Sequence, residues 1–137
     1  MNKNVIEVIF SLKSKCCSKE EKIRTDLNIS PAEFKGIMSI EPGVIVPCKV
    51  LSQKMGLSVS RGSRVIEKLM KSGFMEEVKT SGDRRVMNVT LAKKGINVQR
   101  KISKSLQDCE HKILKNFSKT ELETLVSSLI KVNEVLG

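Results

Sequence analysis

The sequence contains no tryptophan and no tyrosine, and its aromatic content is four phenylalanines. Readers of single-stranded nucleic acid stack bases on aromatic rings, so that class of partner is disfavoured. No apolar run approaches the roughly 20 residues of a membrane-spanning helix. Met1 to Phe10 lacks the sustained apolar stretch of a secretory signal. These absences predict a cytoplasmic protein with no membrane partner. No Gly-rich phosphate loop is present, and the single histidine, His111, has no evident nucleophile partner, so the reading is not an enzyme. Cys16, Cys17, Cys48 and Cys109 are too few and too irregularly spaced for a disulfide framework. Nor do they match the short paired spacing of a metal site, so no metal and no cofactor is expected.

What is present is length for one domain and an excess of positive charge. The chain has 137 residues and a net charge of +10. Between Lys49 and Lys101 there are 13 Lys or Arg against 4 Asp or Glu, a balance of +9. The positive field is therefore local, as expected where a protein neutralises a polyanion. With stacking residues scarce, double-stranded DNA is the leading partner.

Apolar spacing predicts a helix from about Asn4 to Lys15, followed by a charged linker or short helix over Cys16 to Asn28. Ser30-Pro31-Ala32-Glu33 is a helix start with a capping box, stopped by Glu41-Pro42-Gly43. Pro47 to Met55 and Ser58 to Met70 read as two helices joined by a turn at Gly56, a helix-turn-helix signal. After Gly73, Phe74 to Val78 and Val86 to Leu91 alternate as strands around the turn Thr80-Ser81-Gly82-Asp83, a hairpin with a basic tip. A long helix runs from Lys93 to about Asn116. Ser118-Lys119-Thr120-Glu121 is a further capping box, opening a last helix with a wide apolar face from Leu122 to Leu136. The fold class is mainly α with a small β-hairpin wing (α+β).

Two stretches carry the chemistry. Ser58-Val59-Ser60-Arg61-Gly62-Ser63-Arg64 opens a helix with short hydroxyls and arginines that can approach base edges or phosphates. The bland alternative is a solvated face with an N-cap serine. Lys79-Thr80-Ser81-Gly82-Asp83-Arg84-Arg85 puts two guanidinium groups at a hairpin tip, where arginine can enter the minor groove or clasp phosphates. The alternative there is an ordinary charged turn, with Asp83 paired to a neighbouring Arg.

From Ile29 to Gly95 the chain resembles the MarR family of winged helix-turn-helix regulators. The residues that carry the resemblance are Val50-Leu51-Ser52-Gln53-Lys54-Met55-Gly56-Leu57-Ser58, then Arg64 through Leu69 with Gly73, then Asp83-Arg84-Arg85 with Leu91 and Gly95. The resemblance implies a winged helix-turn-helix over about 29–95 in a single-domain chain, with 1–28 and 96–137 as flanking dimerisation helices. It implies a homodimer on a pseudo-palindromic operator, with a recognition helix in the major groove and the wing in the minor groove. Repression is its commoner outcome. By position, Ser58, Ser60, Arg61, Ser63, Arg64 and Lys68 become recognition-helix contacts, Arg84 and Arg85 wing contacts, and Lys79 and Ser81 phosphate contacts. One departure is Ala92, where the family usually places a threonine that caps the long helix; the alternatives are a cap by Thr90 or a different helix start. Another is Glu41 to Pro47, more apolar than a typical connecting loop.

The resemblance also implies release from DNA by a small-molecule effector or by thiol oxidation. The vicinal Cys16-Cys17 lies near Lys15 and Lys19, and thiols beside positive charge are those that oxidation favours, which makes the pair a redox-sensing candidate. The plain alternative is cysteine as a small apolar residue. Fold alone does not fix function, so the competing reading is a winged-helix module that binds another protein or double-stranded RNA.

Overall fold

In a computed structural model, which describes residues 4–79, 82 and 85–137, the chain opens on a capping box. The Asn4 side chain accepts the Glu7 amide at 2.9 Å, and the Glu7 carboxylate accepts the Asn4 amide at 3.2 Å. Helix α1 (Val5–Leu27) then runs for 23 residues. The charged segment expected as a linker or short helix is its second half: it lacks Gly and Pro, and Lys19 to Lys22 are good helix formers. The helix ends where Asn28 adopts the left-handed conformation, φ 54°.

Helix α2 (Pro31–Met38) starts at Ser30 with the expected capping box. Strand β1 (Val46–Pro47) then leads directly into helix α3 (Cys48–Lys54) and helix α4 (Val59–Lys71). Strands β2 (Met75–Val78) and β3 (Asn88–Leu91) complete an antiparallel sheet of order β1-β3-β2. The expected hairpin is thus three-stranded. Val46 pairs with Val89 and Pro47 with Asn88, so the unusually apolar connection before α3 is apolar because it joins the sheet. Pro47 tolerates this place because β1 is an edge strand.

The chain divides into two compact units, Met1–Ile102 and Ser103–Gly137. In the first, Ile37, Leu51, Met55, Ile66, Leu69 and Val89 are almost fully buried, with Ile23 of α1 at the edge of the same core. Helix α5 (Lys93–Leu114) contributes Gly95 and Ile102 as buried residues. Its first turn is not capped by Thr90, whose hydroxyl donates instead to the Val44 carbonyl at 2.8 Å and so fastens β3 to the chain entering β1. The Ala92 amide is bonded to the Phe74 carbonyl, and the Ala92 carbonyl accepts from Ile96. In the second unit, helix α6 (Lys119–Leu136) has the Ser118–Glu121 capping box and no buried residue. Among the described residues, no helix is long and apolar enough to cross a membrane.

Candidate nucleic-acid interface

The geometry of α3 and α4 is set by two small residues. Leu57 N donates to the Ser52 carbonyl at 3.0 Å, and Gly56 turns the chain with φ +69°. Gly62 lies directly against Ser52: a Cβ there would collide with the serine side chain and stand 3.1 Å from its Cα. Ser52 is fully buried, and its hydroxyl is satisfied by the Cys48 carbonyl at 2.8 Å. A larger residue at either position would force the helices apart. On the α2 side, a Cβ at Gly36 would meet Leu69 Cδ1 at 2.5 Å. Helix α4 is thus held by close contact on two sides, with Gly62, Ile66 and Leu69 inward.

The opposite face is solvent. Ser58, Ser60, Arg61, Ser63, Arg64 and Lys68 are all exposed. Ser58 does cap α4, its oxygen accepting the Arg61 amide at 3.3 Å, which leaves its hydroxyl hydrogen to donate outward. Ser63 donates to the Val59 carbonyl at 2.8 Å and keeps lone pairs to accept. The face therefore offers a donor hydroxyl, an acceptor hydroxyl and guanidinium forks within two turns, a suitable set for base edges and phosphates. Among the described residues, Arg61 and Arg64 form no ion pair, whereas Lys68 Nζ stands 3.6 Å from Glu33 Oε1. That partner lies 35 positions back in the sequence, where the local pattern shows only its part in a capping box. Val59 at the helix start is also exposed, at 52%, an apolar position that charge and hydroxyl content do not single out.

On the wing, Lys79 and Arg85 are described and exposed. Ser81 and Arg84, and the Asp83 expected to orient an arginine, lie outside the described residues. The wing is braced from behind by Lys94 of α5, whose ammonium donates to the Ser72 carbonyl at 2.7 Å and sits 4.6 Å from the Phe74 ring centroid.

The cysteines do not converge. Cys16 and Cys17 are exposed on α1, Cys48 and Cys109 are half-buried, and all four are unpaired thiols. Burial pushes the Cys48 thiol upward, and the Glu77 carboxylate adds to the shift. Among the described residues, no group of three His, Cys, Asp or Glu side chains could hold a metal ion. A cleft of about 370 Å³ beside the end of α2 is lined by Met38, Ile40, Glu41, Lys54 and Gln99, among others. Gln99 is fixed there by donating to the Ile37 and Ile40 carbonyls at 2.8 and 2.7 Å.

No family model matches the sequence. The chain is 26% identical over 132 residues to YsmB of Bacillus subtilis, described as an uncharacterized HTH-type transcriptional regulator, covering 94% of this chain and 90% of that protein. Its fold is similar to that of Streptococcus pneumoniae FabT, solved in complex with DNA, with a TM-score of 0.85, 23% identity and coverage of 96% and 94%. It is also similar to the reduced form of MarR from E. coli, with a TM-score of 0.73, 22% identity and coverage of 96% and 98%. The helix-turn-helix and three-stranded wing thus match, along nearly the whole chain, the winged helix-turn-helix fold of these solved structures.

Proposed function

We propose that the chain is a DNA-binding transcriptional regulator, acting as a repressor and as a homodimer on pseudo-palindromic operator DNA. The observation that carries this reading is the exposed face of α4, where Ser58, Ser60, Arg61, Ser63 and Arg64 project from a helix fixed on its other sides. Segment 29–95 binds DNA, and 1–28 with 96–137 supply the dimer contacts of a single regulator domain. In the dimer, the two copies of α4 stand about one helical turn of DNA apart, roughly 34 to 36 Å. Lys79, Ser81, Arg84 and Arg85 bring the wing to phosphates and the adjacent minor groove. The protein works in the cytoplasm, as a binding protein and not an enzyme, and is released by a small-molecule effector or by oxidation of the exposed Cys16 and Cys17.

The test is titration of the purified protein with DNA from upstream of its own gene across a salt series, reduced and then mildly oxidised, with mass from light scattering. A dimer that binds selectively, with affinity falling as salt rises, supports the reading. Loss of binding on oxidation, restored by reductant, assigns the signal to thiols. A monomer with weak, sequence-indifferent binding overturns the reading in favour of a protein-binding module.

A further inference from the structure

Arg61, Arg64 and Lys68 lie on one face of α4, spaced by three and four residues. Among the described residues, Lys68 alone of the three has its charge engaged, by Glu33 Oε1 of α2 at 3.6 Å. The partners differ in exposure: the Lys68 side chain is 63% exposed and the Glu33 side chain 10%. Glu33 is also pinned, because the same oxygen accepts the Ser30 amide at 3.3 Å and the Glu33 amide is bonded to the Ser30 hydroxyl at 3.1 Å. The carboxylate cannot follow Lys68 outward without breaking the cap of α2. Moving the ammonium away strands a carboxylate that has already lost most of its water, and stranding the buried partner is the unfavourable side of such an exchange.

We infer that Glu33 is a positioning residue that holds Lys68 out of the set of charges neutralising DNA phosphates, so that Arg61 and Arg64 are the working cations of this face of α4; this rests on the DNA-binding reading above. The consequence concerns selectivity. Sequence-indifferent affinity grows with each phosphate neutralised, so pairing one lysine within the protein lowers binding to any DNA while leaving the base-facing groups in place. Glu33 then tunes the ratio of specific to non-specific binding from the neighbouring helix α2.

The test is the slope of log affinity against log salt for non-specific duplex, measured for the wild type, Lys68→Gln, Glu33→Gln and the double variant. Lys68→Gln should leave the slope unchanged. Glu33→Gln keeps the cap hydrogen bond but removes the charge; it should steepen the slope by about 0.9, so that affinity falls about 3.5-fold more between 50 and 200 mM salt. The double variant should return to the wild-type slope. A slope that falls by about 0.9 in Lys68→Gln overturns the inference, because Lys68 is then a phosphate contact. If Glu33→Gln fails to fold, a slope that falls in Lys68→Gln still overturns the inference. Absence of salt-dependent binding by the wild type overturns the DNA-binding reading and the inference with it, and is distinguishable because it appears before any substitution.

Discussion

Residues 46–91 and residues 118–137 contain the same kinds of apolar side chain and dispose of them in opposite ways. In the first stretch Val46, Leu51, Met55, Ile66, Leu69, Val89 and Leu91 are buried, and the exposed face of α4 is left to serine and arginine. In the second, α6 buries nothing, and Val126, Leu129, Ile130, Val135 and Leu136 are exposed. One region closes its core with its own chain. The other presents an apolar surface of the kind that marks an interaction site, and a second copy is the partner our functional reading assigns to it. The contrast separates folding from assembly, and substitutions can probe each alone.

The largest effect should come from Gly62→Ala. Its new methyl group overlaps the Ser52 side chain, so α3 and α4 must separate. We expect a loss of about 1–3 kcal/mol in urea unfolding, the usual range for overpacking, with DNA binding lost under conditions where the protein remains folded. Gly43→Ala is the matched control, since φ is +80° there but nothing lies within 4 Å of the added carbon. It should show only a conformational penalty of about 1 kcal/mol. Equal stability of Gly62→Ala and the wild type would mean that the helices are not locked at this contact.

Next in size is the assembly side. Val126→Lys with Ile130→Lys puts two charges on the exposed face of α6. If that face is the dimer contact, removing about 1.5–3 kcal/mol of apolar burial per side chain weakens association by at least about 100-fold. Light scattering should then report monomer, while the thermal transition of the first unit is unchanged. A dimer that survives both lysines would move the contact elsewhere, with exposed Val5 and Phe10 of α1 the next place to substitute.

Smaller is Arg64→Ala, expected to cost about 1–3 kcal/mol on the cognate operator and to relax selectivity at one base position. Competition with a panel of single-base operator variants reads this directly. Uniform weakening across the panel would make Arg64 a phosphate contact.

How much of this was legible beforehand follows from the range of the interactions. Capping boxes at Ser30 and Ser118 span three residues and were readable, as was the turn at Gly56. The continuation of α1 through Cys16–Leu27 was obscured because its polar composition resembles a linker, although no residue in it breaks a helix. Strand β1 was too short for alternation to show; the apolar character of Val44 to Val46 was the available signal, and only pairing with β3 explains it. Thr90 looked like a cap because its partner, the Val44 carbonyl, lies 46 residues away. At the candidate interface, hydroxyl and arginine content picks out a row on α4 that the structure leaves exposed. The engagement of Lys68 depends on how α2 packs, which no local pattern encodes.

The smallest effect sharpens the comparison at the start of α6, where a cap must stabilise a helix that buries nothing. The Ser118 backbone and hydroxyl bond Glu121, and these bonds hold its carboxyl below the ordinary glutamate value. A carboxylate with a lowered value in the folded state adds stability above the unfolded value of about 4.3 and loses it as pH falls through the lower folded value. Acidification from pH 6 to pH 3 should therefore fray the first turn of α6, read as movement of the Glu121 amide resonance with a midpoint below 4.3. In Ser118→Ala that midpoint should rise towards the ordinary value, because both the hydroxyl bond and the ordered cap are lost. A midpoint that does not move on this substitution would mean that the carboxylate is stabilised by something other than the cap.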